Sequence, residues 1–239
     1  MEPAIAHLEW LYKTWAWAEK NWQKLALAAV GVAVVGLGIA FFTWRKDVAE
    51  TTASEQLSAL RPPPGPGGAF VPIPADAYLK VANEHAGTAA AGRALLLAAG
   101  ALFAENKYAD AKTQFDRFLR DAPESPLRSQ ALFGSAACLE ALGKNEEAAA
   151  AFKNLVDHYA ADAVAPRAKL ALARSYEAQK QIEKAFGLYE DLARAESYST
   201  VGLLAEVRLE ELKRANPALA TRALTNTVPV PPTVKTNKP

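Results

Sequence analysis

The sequence repeats itself at a step of 37 residues. Aromatic side chains recur at this step at Tyr78, Phe115, Phe152 and Tyr189, and each is followed three residues later by an apolar side chain. Alanine recurs at the same step in two further series, Ala94, Ala131, Ala168 and Ala205, and Ala111, Ala148 and Ala185. Units of about 20–50 residues bury their apolar faces against their neighbours and stack into a solenoid. The period therefore predicts a repeat protein, a class that mostly binds partners.

An apolar stretch from Leu25 to Phe42 contains no charged side chain. With Thr43 and Trp44 it is 20 residues long, which is about 30 Å of helix and the thickness of a hydrocarbon core. Trp22 and Trp44 stand at its two edges, where such rings prefer the headgroup level. We expect a transmembrane helix at 25–44. The alternative, a cleaved signal peptide, has a shorter apolar stretch and a small-residue cleavage site, which this sequence lacks.

Small residues recur within the span at alternating steps of three and four, at Ala26, Ala29, Ala33, Gly36 and Ala40. This spacing places them on one helical stripe, where membrane helices can pack closely; a generic Ala/Gly/Val anchor is an equally open interpretation. Residues 1–24 are expected to form a cytoplasmic or interfacial segment with an apolar helical face. Basic residues are balanced across the span, so charge alone leaves the orientation undecided.

Helices in pairs are predicted for the part of the chain after the span. Residues 45–74 should form a polar juxtamembrane helix and then a Pro/Gly-rich loop at 61–74, because proline and glycine break helices. The repeat domain is expected at 75–215, and residues 216–239, without periodicity, are expected to be a disordered tail. Helices of the repeat domain are predicted at 76–84, 89–105, 109–121, 125–142, 146–159, 165–179, 182–193 and 200–215. The fold class is therefore all-α, an N-terminal transmembrane helix followed by an α-solenoid of helical hairpins.

The sequence offers little for catalysis. Cys138 is the only cysteine, and its place among apolar residues of a repeat helix favours a buried small residue over a nucleophile. The three histidines are spread too far for a metal motif, and no phosphate-binding loop, hydrolase or zinc-protease motif is present. A formal net charge of +1 gives no basis for nucleic-acid binding. We predict a protein without catalytic residues, metal, cofactor or small-molecule substrate.

Three stretches of the chain follow one pattern of aromatic, alanine and leucine residues. The first runs through Leu97, Phe103, Tyr108, Ala111, Phe115, Phe118 and Pro123, and the others occupy 139–155 and 176–192. The pattern resembles the second half of a tetratricopeptide repeat. The first-helix tryptophan and the Gly-Tyr signature are missing, so the resemblance is to the fold. It covers residues 75 to about 214 and implies a tetratricopeptide-like solenoid.

This resemblance implies a protein-binding groove on the concave wall, lined by the first helix of each pair. The lining residues would be Arg93, Leu96, Phe103, Gln130, Phe133, Glu140, Arg167, Leu170, Arg174 and Glu177. An apolar row with arginine and glutamate at its margins suits an extended or helical peptide segment. The alternative is that the helix at 47–60 or the loop at 61–74 covers these side chains.

The order of segments carries a second resemblance. A short N-terminus leads through Trp-Ala-Glu-Lys-Asn-Trp-Gln-Lys into a Gly/Ala/Val span, and Trp-Arg, a polar helix and atypical repeats follow. This order resembles the YfgM-like family of ancillary bacterial translocon subunits, although the Pro/Gly loop and the Pro/Thr tail depart from it. The resemblance implies a single-pass inner-membrane adaptor with a cytoplasmic N-terminus and periplasmic repeats, whose partners are a SecYEG-type channel and a periplasmic chaperone. The alternative is a structural or assembly subunit of another inner-membrane or envelope complex, docked through the small-residue stripe.

Overall fold

The computed structural model of the protein describes residues 3–60, 72–217 and 219, with the backbone alone for 3–9 and 11. Most of the predicted loop at 61–74 and of the predicted tail at 216–239 lies outside the described residues. So do several side chains of the apolar face predicted for the N-terminal segment. The chain divides into two compact units, Met1–Gln56 and Leu57–Pro239.

The described part of the N-terminal unit is helical. Helix α1 spans Pro3–Lys20, and helix α2 begins at Trp22 and runs on to Ala59. The amide of Asn21 between them donates to the carbonyl of Trp17 at 3.0 Å, so helical hydrogen bonding continues across the junction. Among the described residues, α2 is the one helix long and apolar enough to cross a membrane. It continues without a break into the polar stretch that follows the apolar one.

The second unit is a row of helices, each packed against the next along the chain. They are α3 (Ala75–Glu84), α4 (Ala89–Ala104), α5 (Tyr108–Asp121), α6 (Arg128–Ala141), α7 (Asn145–His158), α8 (Ala165–Ala178), α9 (Ile182–Ala195) and α10 (Thr200–Ala215). Three clusters of buried side chains follow one another along the row and form its core. Sequential packing of this kind is the defining property of a solenoid. The all-α prediction is confirmed.

The repeating alanines lie where helices cross. All seven, from Ala94 to Ala205, have no exposed surface. A methyl group at such a crossing lets two helices approach closely enough for ridges and grooves to interlock. The recurring rings of Phe152 and Tyr189 are also fully buried. The 37-residue period therefore marks the positions at which neighbouring helices touch.

Helix α6 begins later than predicted. The sequence predicted a start at Ser125, but the helix begins at Arg128. Pro126 has no amide hydrogen and disfavours the helical conformation in the residue before it. A turn forms instead, in which the Arg128 amide donates to the carbonyl of Ser125 at 3.0 Å. The other predicted helix ends in the repeat domain agree with the structure to within two residues.

Candidate protein-binding groove

A cleft opens between α4, α6 and α8, which are the first helices of successive pairs. Its volume is about 390 Å³, and it is lined by Gly100, Phe103, Phe115, Gln130, Phe133, Gly134, Ala137, Val164 and Arg167. Phe103, Gln130, Phe133 and Arg167 belong to the groove predicted from the sequence. The structure therefore brings four of the ten predicted residues together in one cleft.

The ring of Phe115 reaches the cleft because residue 134 is glycine. Phe115 belongs to the second helix α5 and is buried. A Cβ atom at Gly134 would overlap this ring, so only glycine leaves room for it. The aromatic floor of the cleft thus depends on a missing side chain on the facing helix.

Phe133 connects the cleft to the core beneath it. The centroid of its ring lies 5.6 Å from that of the buried Phe152. The guanidinium of Arg167 lies over the Phe133 ring, 4.7 Å from the centroid, and this cation–π contact positions the arginine at the cleft. Within the described part of the chain, Arg167 makes no ion pair. Its guanidinium can therefore bind a carboxylate of a ligand in bidentate fashion.

The other predicted residues lie on the same helices but outside the cleft lining. Leu96 and Leu170 are half-buried and pack against core clusters, so each contributes to packing. Glu140 of α6 and Arg174 of α8 form an ion pair at 3.7 Å, which links two first helices. Arg93 is exposed on α4.

Glu177 belongs to a network that joins the last three helices. Its carboxylate accepts hydrogen bonds from the Tyr189 hydroxyl and from the Arg208 guanidinium, each at 3.1 Å. Burial and the neighbouring Glu177 charge raise the pKa of Tyr189 to about 12. The network ties α8, α9 and α10 together, which gives Glu177 a structural contribution.

Five residues of the cleft lining were not predicted, namely Gly100, Phe115, Gly134, Ala137 and Val164. The resemblance to tetratricopeptide repeats directed attention to large and charged side chains of the first helices. One signal was available, because Gly100 and Ala137 are one 37-residue step apart. Because Gly100 and Ala137 have small side chains at equivalent positions of α4 and α6, space remains between these helices for the cleft.

The single thiol is inert in this setting. Cys138 is fully buried on α6, and desolvation raises its pKa to about 11. A thiol with such a pKa stays protonated near neutral pH and is a poor nucleophile. In the ranges that the structure describes, no group of three His, Cys, Asp or Glu side chains could hold a metal ion.

The predicted stripe of small residues lies on α2. Its members, Ala26, Ala29, Ala33, Gly36 and Ala40, are all exposed. A Cβ atom at Gly36 would meet nothing within 4 Å. The packing role of the stripe stays a prediction.

Comparison with known proteins supports the repeat fold. A family model described as tetratricopeptide repeat matches residues 96–163 and 139–199. Among solved structures, a variant of the TPR-like repeats from a Podosopora anserina protein described as a kinesin light chain matches with a TM-score of 0.51. It is 16% identical, over 77% of this chain and 91% of that chain. A second structure of these repeats matches with a TM-score of 0.50 and 16% identity, over 74% of this chain and 87% of that one.

None of the curated proteins compared with the chain matches it. No match points to the YfgM-like family in particular. At 16% identity, the likeness to the solved structures shows the fold alone. It agrees with the family model, whose matched residues run from the middle of α4 to beyond the end of α9 and include the whole cleft lining. The repeat domain is therefore a tetratricopeptide-like α-solenoid.

Proposed function

We propose that this chain is a membrane-anchored adaptor that holds a segment of a partner protein in the cleft between α4, α6 and α8. The observation that carries the proposal is the cleft itself. Phe103, Phe115 and Phe133 form an aromatic floor beside Arg167, which makes no ion pair with any residue that the structure describes. Solenoids of this kind present extended concave surfaces to partners and are typically scaffolds without a catalytic role.

The cleft suggests the chemistry of the segment that it binds. Its volume lies within the range of about 300–1,000 Å³ that is usual for ligand sites. An apolar side chain of the segment would pack on Phe103 and Phe133, and a carboxylate would pair with Arg167. Gln130 adds an exposed amide for the backbone of an extended segment. A short apolar and acidic segment therefore fits best.

Helix α2 would supply the anchor. Its apolar window has no residue buried inside the protein, and its length suffices to cross a bilayer once. An anchor of this kind confines the search for partners to the membrane plane and raises their effective concentration. The resemblance in segment order further supports a place beside a SecYEG-type channel and a periplasmic chaperone, with the N-terminus in the cytoplasm.

Protease digestion of intact spheroplasts and of inverted membrane vesicles tests the orientation. Repeats that face the periplasm are cut in spheroplasts and protected in inverted vesicles. The opposite pattern would overturn the periplasmic location and leave the cleft proposal intact.

Affinity capture after mild detergent extraction tests the cleft. Phe103→Asp places a charge on the apolar floor, and because the Phe103 ring is 36% exposed and also contacts the ring of Tyr108, the thermal unfolding midpoint of the variant is measured alongside. We expect the recovery of the bound partner to fall at least about tenfold, since an unpaired carboxylate is costly to bury. The matched control is Leu142→Asp, which changes a leucine of similar exposure, 42%, outside the cleft.

Equal recovery with Phe103→Asp and wild type would contradict binding in the cleft. The identity of the captured protein tests the finer proposal separately. A channel subunit or a periplasmic chaperone supports the role at the translocon. Capture of a different envelope complex in their place favours the alternative of an assembly subunit.

A further inference from the structure

A second cavity lies at the other end of α4, where α3, α4 and α5 meet. Its volume is about 340 Å³. The end of α3, the first turns of α4, the end of α5 and the loop at 122–126 border it. It shares no lining residue with the cleft between α4, α6 and α8. We call it the α3–α5 cavity.

The period of the repeat identifies an equivalent place one step later, between α5, α6 and α7. Four alanines line the α3–α5 cavity and have informative counterparts, namely Ala82, Ala86, Ala91 and Ala122. A step of 37 residues leads from them to Leu119, Pro123, Arg128 and Tyr159. The two places therefore differ in whether small or large side chains stand at equivalent positions.

The side chain of Arg128 occupies this equivalent place. Its Nε donates a hydrogen bond to the Tyr159 hydroxyl at 3.1 Å. Its Nη1 donates to the carbonyls of Leu119 and Pro123, each at 3.4 Å. Both side chains are half-buried. A guanidinium and a phenol ring, held by two backbone carbonyls, thus lie where the preceding repeat has its cavity.

The α3–α5 cavity is the space that remains when alanine replaces this pair of side chains. Ala91 stands at the position of Arg128, and Ala122 stands at the position of Tyr159. The carbonyl groups belong to the backbone, so those of Ala82 and Ala86 remain at the positions that accept from the guanidinium one step later. Protein interiors contain few voids larger than a water molecule, and a volume of this size is usual for a ligand site.

The charges around the α3–α5 cavity suit a cation. Its charged lining residues are Arg117, Asp121 and Glu124. Asp121 already pairs with Arg117 at 3.3 Å. Glu124 is exposed and makes no ion pair within the described ranges of the chain. Its counterpart one step later is Ala161, so the carboxylate stands in the repeat that lacks the internal arginine.

We propose that the α3–α5 cavity binds an arginine side chain of a partner protein. The guanidinium donates to the carbonyls of Ala82 and Ala86, as Arg128 does one repeat later, and its charge is attracted by Glu124. An aromatic ring beside this arginine takes the place of Tyr159. The partner segment is therefore basic and aromatic, whereas the cleft between α4, α6 and α8 fits an apolar and acidic one. The site does not depend on the function proposed for that cleft.

Saturation-transfer NMR on the full-length chain in detergent micelles tests the site with a defined probe. The probe is the blocked tripeptide acetyl-Arg-Gly-Tyr-amide, and the matched control peptide carries citrulline, which keeps the shape of arginine but is neutral. We expect the citrulline peptide to bind about fivefold more weakly, because hydrogen bonds from a charged donor are stronger than those from a neutral one.

Ala91→Arg/Ala122→Tyr fills the cavity with the side chains that the chain uses one repeat later. The new arginine can donate to the carbonyls of Ala82 and Ala86, so it competes directly with the probe. We expect the dissociation constant of the arginine peptide to rise at least about tenfold, because the occupied cavity excludes the peptide sterically. The thermal unfolding midpoint shows whether the variant folds.

Glu124→Lys tests the same site without changing the packing of the cavity, because Glu124 is exposed. The reversed charge should weaken binding of the arginine peptide about threefold, as expected for an exposed pair. The matched control is Glu206→Lys, which reverses an exposed glutamate of α10 outside the cavity and should leave binding unchanged. This comparison decides the matter even if Ala91→Arg/Ala122→Tyr fails to fold.

Three results would overturn the proposal. The first is a wild-type chain that transfers no more saturation to the arginine peptide than to the citrulline peptide. The second is equal binding by Glu124→Lys and Glu206→Lys. The third is a chain that binds the peptide only after Arg61→Ala/Phe70→Ala, which would show that its own residues occupy the cavity.

Discussion

Helices α2 and α4 are both rich in alanine, leucine and glycine, yet they bury these residues very differently. In α4, eight of the 16 residues are buried, whereas in the 38 residues of α2 Ala53 alone is buried. At 1.5 Å per residue, α4 is about 24 Å long and too short to cross a hydrocarbon core. It packs instead between α3 and α5. Similar compositions therefore lead to a core helix in one region and an exposed one in the other.

The difference shows that neighbours, rather than hydrophobicity, define a core helix. Ala94 of α4 takes part in the 37-residue period, and the period exists because a neighbouring helix meets it at each step. The apolar stretch of α2 does not follow the 37-residue period. Its large side chains are between 41% and 74% exposed, with Leu27 and Val32 at the upper end. Exposed apolar surface of this extent is stable only in a lipid environment or against a partner.

The largest effect is expected from placing charges at the centre of α2. If α2 were an ordinary surface helix, such charges would have little effect, and the contrast between α2 and α4 would lose its meaning. Val34→Lys/Val35→Lys places two charges at the middle of the apolar stretch, and each costs about 2.5–3.5 kcal/mol at a bilayer centre. We expect the chain to move from the membrane pellet to the supernatant on alkaline extraction. The thermal unfolding midpoint of the repeats should not change.

The matched control places two lysines on exposed leucines of the repeat domain. Leu97→Lys/Leu142→Lys changes residues that are 46% and 42% exposed, so the chain should stay in the pellet. If the α2 variant also stayed in the pellet, the apolar helix would not be the anchor.

A smaller effect is expected where α10 packs against the end of α9. A Cβ atom at Gly202 of α10 would overlap the backbone carbonyl of Glu196, at the end of α9. Gly202→Ala must therefore displace α10, and we expect a loss of about 1–3 kcal/mol in the free energy of unfolding. Urea titration followed by circular dichroism measures this loss.

Gly187→Ala on α9 is the control, because a Cβ atom there would meet nothing within 4 Å. This change should be neutral or should stabilise the protein by up to about 1 kcal/mol, since alanine is the better helix former. Equal effects of the two substitutions would mean that the close crossing at Gly202 contributes nothing.

Periodicity revealed the features of the fold that repeat. The alanine series located the helix crossings, and helix-breaking residues in the turns located the helix ends. The one larger error is the start of α6, predicted at Ser125, where Pro126 imposes a turn. Of the cleft, Phe103 and Phe133 were predictable as apolar residues on first helices. Features that every repeat must share leave a signal in a single sequence.

Features that occur once leave no such signal. Phe115 lines the cleft only because Gly134 lacks a side chain, and this relation joins two helices at one place in the stack. The exposed apolar side chains of α10 are a second example, because the pattern of this helix alone does not show which of its sides the neighbouring helices cover. The sequence predicted a closing helix at 200–215, but only the exposure of Leu203 and Val207 shows what this helix leaves uncovered.

The smallest effect is expected from pH, and it contrasts a buried tyrosine with an exposed one. The pKa of Tyr189 is raised to about 12 from its ordinary value of 10, first by burial and then by the charge of Glu177. A raised pKa means that the folded state favours the protonated phenol. Its contribution to stability is therefore complete below pH 10 and is lost as the pH rises from 10 to 12, by at most about 1.4 kcal/mol per pH unit.

Urea unfolding at pH 9, 10, 11 and 12 measures the loss, in a Cys138→Ala background because the buried thiol also titrates with a raised pKa of about 11. Tyr189→Phe should make the decline between pH 10 and 12 shallower, since phenylalanine has no proton to lose. Tyr198→Phe is the control, because Tyr198 is fully exposed. If Tyr198→Phe, and not Tyr189→Phe, flattened the decline, the pKa of Tyr189 would not be raised in the folded state.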